Sequence, residues 1–152
     1  MIEHLSYSSI SLWNQCPRAW YAQYILGYCQ PDNYALLFGK AAHAAIEDSW
    51  VSGRPVWVLF VEKLHDEWGK TTGIPEKLMI ELAVLGNTLF SDPSVIDELA
   101  SVRPLSPKWI ERRIEFTVPD VPVPVIGFID VVCDDGVPLD IKTSQWDWGE
   151  DR

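Results

Sequence analysis

The chain has 152 residues, 47% of them hydrophobic and 22% charged, with a formal net charge of −10. That length and apolar content support a single domain over 1–152 with its own core, and they exclude a disordered chain. The excess of acids, 22 Asp and Glu against 12 Lys and Arg, excludes broad charge-driven binding to nucleic acid but leaves room for a local site where a metal meets phosphate.

In chain order, Ser8 or Ser9 is placed to cap a short helix over 10–15. Pro17 suits the first turn of a second helix carrying Trp20, Tyr21, Tyr24 and Ile25, with Gly27 as its stop. Residues 30–33 read as a loop. An alanine-rich helix follows over 36–51 and ends at Ser52-Gly53-Arg54-Pro55. Further helices are expected over 56–68, 76–90 and 93–99, so residues 1–100 are mainly helical.

The character then changes. Ile110, Arg112, Ile114 and Phe116 mark the alternation of a strand over 109–118. Two more strands are expected over 125–133 and 137–143, joined by the hairpin loop Asp134-Asp135-Gly136. Helices first and then a three-stranded antiparallel meander over 109–144 make an α+β fold. No apolar run approaches the roughly 18–20 residues of a membrane span. The N-terminus has no basic stretch leading into an apolar one, and Cys16, Cys29 and Cys133 are a sparse, odd set. A cytoplasmic protein in a reducing compartment is expected.

A hairpin centred on Asp135 sets Asp130 directly opposite Asp140, on one face. Like charges so opposed destabilise a sheet, which makes sense around a cation. Two exposed acids on a solvated face, or a register shifted by one, are the other readings. Lys142 shares the face of Asp140, while Ile141 points into the core. An ordinary surface ion pair gives the same spacing. Pro138 belongs at the start of its strand, because it lacks a ladder donor. His43 sits on the alanine-rich helix with Glu47 one turn on; it is either a ligand or a structural histidine with its partner.

The set Ser6-Tyr7-Ser8, Cys16-Pro17-Arg18-Ala19-Trp20-Tyr21, Gly39 with His43 and Glu47, Gly127-Phe128-Ile129-Asp130 and Asp140-Ile141-Lys142-Thr143 resembles the PD-(D/E)XK nuclease superfamily. The likeness is strongest to its RecB-type branch, which includes CRISPR-associated adaptation nucleases. It implies a restriction-endonuclease-like core of αβββ order. It implies that His43, Asp130, Asp140 and the carbonyl of Ile141 hold Mg²⁺ or Mn²⁺, and that Asp130, Asp140 and Lys142 carry catalysis. Glu47 is carried over as a supporting or alternative metal group. The implied activity is a metal-dependent, exonuclease-like DNA nuclease of repair, recombination, or phage- or CRISPR-related processing. Its partner would be single-stranded DNA or duplex ends, with no membrane.

The chain departs from that pattern after Lys142. Relatives continue into a helix with a Q-x-x-x-Y motif, whereas Gln145 stands too early and no tyrosine follows it. A fold cut short there is expected to expose an apolar patch, and self-association or a partner chain would complete it. Relatives with an iron–sulfur cluster place three cysteines beyond this point, and none occurs here, so a cluster is not expected and Cys16 reads as a buried structural thiol. Arg18, Arg112 and Arg113 are candidate DNA-phosphate contacts or merely solvated cations. Trp146 and Trp148 suit base stacking or packing. The rival to a nuclease is a catalytically weak or inactive DNA- or protein-binding module on the same fold.

Overall fold

The computed structural model describes residues 2–28, 33–71 and 73–143. Cys29, Gln145, Trp146, Trp148 and most of the loop at 30–33 lie outside the described residues. A short strand β1 (Leu5–Ser6) leads directly into helices α1 (Tyr7–Gln15) and α2 (Pro17–Tyr24). Helix α1 starts earlier than its serines suggested. Ser6, not Ser8 or Ser9, is the cap, and Ser9 completes a capping box by bonding back to the Ser6 N–H. Cys16 joins the two helices in an extended conformation and is exposed, which corrects the expectation of a buried thiol. Among the described residues, the buried cysteine is Cys133.

Helix α3 (Tyr34–Ser52) is capped by the Asn33 side chain and closed by Gly53 in the left-handed region at φ 70°. Then come α4 (Val56–Lys70), α5 (Glu76–Phe90) and α6 (Pro93–Ser101). The main core cluster is helical: Leu37, Ala41, Ala42 and Ala45 of α3 pack with Leu59, Phe60 and Leu64 of α4 and with Leu82 and Phe90 of α5. The small alanines let α3 and α4 approach closely, and the rings of Phe38 and Phe90 stand 4.9 and 5.3 Å from that of Phe60.

The sheet follows as β2 (Ile110–Phe116), β3 (Val125–Val132) and β4 (Pro138–Leu139). It is four-stranded and mixed, which corrects the expectation of a purely antiparallel meander of three. Strand β2 pairs antiparallel along one edge of β3. The other edge of β3 takes β1 in parallel at Val125 and Ile126, and takes β4 antiparallel at Val131 and Val132. Two residues of strand, far away in sequence, leave no periodicity to read, so β1 escaped the sequence.

The hairpin has the expected register. Val131 pairs with Leu139 and Val132 with Pro138, closed by the Cys133 N–H donating to Val137 O at 2.9 Å. Gly136 takes the left-handed last loop position at φ 85°. Pro138 begins its strand. That strand is far shorter than the span 137–143. The next pair across would set Asp130 against Asp140, and like charges do not sit opposed in a ladder.

Candidate metal and catalytic site

The third residue of that hairpin arm decides the geometry. Asp130 stands third from the end of β3, and its carboxylate bonds to the chain just past β4. Its Oδ2 accepts the backbone N–H of Ile141 at 2.6 Å, a short charge-assisted bond. The same oxygen lies 3.8 Å from Nδ1 of His43 on α3, close but longer than a hydrogen bond. Asp130 is thus the hub that joins β3, the D-x-K segment and helix α3. Ile141 packs its side chain against the helical core, which pins the backbone between Asp140 and Lys142. Gly39 eases the close approach of α3: a Cβ there would lie 3.1 Å from Oγ1 of Thr143.

Asp140 does not join the hub. It faces solvent, and Lys142 Nζ reaches both of its oxygens, at 2.8 and 2.7 Å. Each of the two carboxylates has taken a separate positive or N–H partner, as mutual repulsion dictates. Among the described residues, no three Asp, Glu, His or Cys side chains converge to enclose an ion. An apolar groove of about 800 Å³ ends at this segment, walled by Phe38 and Trp50 of α3, Leu89 of α5, and Leu139 and Ile141.

Two further acids surround Asp130. Glu47 follows His43 by one turn of α3, and its carboxyl is pushed up from an ordinary 4.5 to about 7. Burial is the main cause, Glu111 and Asp130 add repulsion, and Lys63 partly offsets them. Glu111 is a neighbour that the sequence reading passed over. Its flanking residues Ile110 and Arg112 pair with Val131 and Ile129, which sets Glu111 opposite Asp130. Its φ of 48° is unusual for a residue with a side chain, and such strain gathers at functional sites. The alternation in β2 pointed to its apolar positions; only the register with β3 reveals which acid meets Asp130.

The Glu47 environment has a measurable consequence. In the presence of a chelator, the folded carboxyl keeps its proton over a range where the unfolded one has lost it. Stability therefore falls as pH rises from about 4.5 to about 7. The half-exposed position limits the effect to about 1 kcal/mol. Glu47→Gln should flatten that slope in urea melts at several pH values; an unchanged slope would show that Glu47 titrates normally.

The candidate DNA-contact arginines do not gather at the hub. Arg112 lies over the ring of Trp109, 5.4 Å from its centroid. Arg113 is tied to Glu115 at 2.5 Å. Arg18 is exposed on α2.

No curated protein and no solved structure matches the chain. The family model for the PD-(D/E)XK nuclease superfamily matches residues 4–150, a span that holds every element from β1 to the D-x-K segment. On that match, the chain belongs to the PD-(D/E)XK nuclease superfamily.

Proposed function

We propose that this chain is a divalent-metal-dependent DNA nuclease of the RecB type, with an exonuclease-like role in repair, recombination, or phage- or CRISPR-related processing. The observation that carries the reading is the hub at Asp130, which draws His43 and the backbone of the D-x-K segment to one carboxylate. Members of the superfamily are typically metal-dependent nucleases, and they usually use Mg²⁺ or Mn²⁺. Among the described residues, no helix is long and apolar enough to cross a membrane.

The donor types suit such an ion. Two carboxylates and a carbonyl oxygen are hard ligands for Mg²⁺, and an imidazole widens the choice to Mn²⁺. His43, Asp130, Asp140 and the Ile141 carbonyl would hold it, with Glu47 beside them. Bound there, it would supply a Lewis acid for the phosphoryl oxygen and make a water more acidic.

The protein's own groups do the rest. The Ile141 N–H bond to Asp130 holds the backbone on which Asp140 and Lys142 stand. Lys142 brings an ammonium to the phosphate, where it orients the attacking water and stabilises charge that develops on oxygen. Arg18, Arg112 and Arg113 are the candidate contacts to flanking phosphates. The open apolar groove beside Lys142 supports self-association or a partner chain as part of this reading. The rival, a catalytically weak or inactive binding module, is favoured by one observation: Asp140 and Lys142 are paired with each other in solvent.

Asp140→Ala should abolish Mn²⁺-dependent cleavage of single-stranded DNA, and Lys142→Ala should lose cleavage while still binding Mn²⁺ in calorimetry. Cleavage unchanged in Asp140→Ala would sink the assignment. Metal binding in the wild type without any cleavage would establish the binding module instead.

A further inference from the structure

The N-terminal helical hairpin carries chemistry that the site above does not use. Residues 4–31 are the longest acid-free run of a chain whose net charge is −10. All five tyrosines, together with Trp13 and Trp20, fall between Glu3 and Leu36. Rings of this size usually go into a core. Yet α1 buries only Ser9, α2 buries none of its residues, and the core is built by α3, α4 and α5.

The rings of the hairpin touch one another instead. Trp13 meets Trp20 edge to face at 4.9 Å, and Trp20 meets Tyr24 at 5.8 Å. These contacts link Trp13, Trp20 and Tyr24 across α1 and α2, and Tyr21 stands three residues before Tyr24 on the same helix, beside that run rather than in ring contact with it. Trp13 is 48% exposed and Tyr21 is 52% exposed. Arg18 precedes Tyr21 by three residues on the same helix, so the two share a face, and it has no ion pair among the described residues. The hairpin is also well placed. It springs from β1, which is hydrogen-bonded to β3, the strand that carries Asp130.

Acids repel phosphate, so nucleic acid can approach this chain most closely where they are absent. Aromatic rings with polar tips stack on any base and tolerate any sequence. We propose that α1 and α2 form a stacking track for unpaired bases of single-stranded DNA, with Trp13, Trp20, Tyr21 and Tyr24 as its rings and Arg18 on the phosphate. This rests on the reading of the chain as a DNA nuclease and names its substrate as unpaired rather than duplex DNA.

The test is fluorescence anisotropy of a labelled oligo-dT of about 12 nucleotides in EDTA, where binding is read without cleavage. Trp13→Ala and Tyr21→Ala should each weaken binding by roughly ten-fold, and Tyr21→Phe should restore it, since it keeps the ring. Arg18→Gln should reduce the salt dependence. An abasic strand of equal length should bind the wild type weakly. Circular dichroism checks that the variants are folded. Equal binding by the alanine variants, or equal binding of the abasic strand, would overturn the proposal. So would variants that bind DNA normally but change from oligomer to monomer in light scattering, which would make the track a protein interface. If the wild type cleaves DNA and the alanine variants bind it as tightly as the wild type does, this inference falls and the nuclease reading stands. If the wild type neither binds nor cleaves, both fall.

Discussion

Asp130→Ala should lose Mn²⁺ binding in titration calorimetry and lose DNA cleavage by about a thousand-fold or more. The reason is the number of roles that meet in one carboxylate. It accepts the Ile141 N–H at 2.6 Å, approaches His43 at 3.8 Å and raises the Glu47 carboxyl. Removing it takes away a proposed ligand and releases the backbone that carries Asp140 and Lys142. The two effects can be separated. Asp130→Asn keeps an acceptor oxygen for Ile141 but loses the charge, so it should preserve thermal stability while still losing the metal. The Asp130→Ala protein should be less stable by about 1–2 kcal/mol, because a part-buried N–H loses its acceptor. Part of that loss is offset by relief of the repulsion on Glu47. Equal Mn²⁺ binding by wild type and Asp130→Ala would remove Asp130 from the metal site.

Gly86→Ala should destabilise the protein by about 2 kcal/mol in urea melts, against the ordinary preference of helices for alanine. Alanine gains about 1 kcal/mol over glycine in a helix interior. At Gly86 of α5, however, a Cβ would overlap the ring of Phe60. That ring is fully buried and held between Phe38 and Phe90, so it has nowhere to move. Overpacking of a closed core costs more than the propensity gain. Phe60→Leu should lose stability alone but lessen the damage of Gly86→Ala, so the double variant loses less than the sum of the two. A Gly86→Ala protein more stable than the wild type would refute close packing of α5 on α4.

Local signals carried much of this protein in its sequence. Proline and glycine punctuation marked the helices, and the end of α5 at Phe90 and the start of α4 at Val56 coincide with the expected limits. The turn chemistry of Asp134-Asp135-Gly136 sufficed for the hairpin register, because a three-residue loop ending in a left-handed glycine allows only one pairing. The cap falls two or three residues before the expected serine, since three serines compete near the start of α1 and only the choice of Ser6 satisfies two N–H groups reciprocally.

Other features depend on residues distant in sequence, and no local pattern encodes them. Strand β1 exists only because β3 offers it an open edge. Glu111 belongs to the hub only because β2 is registered against β3. The exposure of Cys16, Trp13 and Tyr21 follows from where α1 and α2 dock, not from their composition. The sequence alone singled out the candidates for the site: an alanine-flanked His43, the acid of β3, and the Asp140-Ile141-Lys142 run. The tertiary structure decided how their charges are shared. Asp130 turns to a backbone N–H and His43, while Asp140 turns to Lys142. Spacing places two carboxylates opposite each other, but only the surrounding fold supplies the partners that draw them apart.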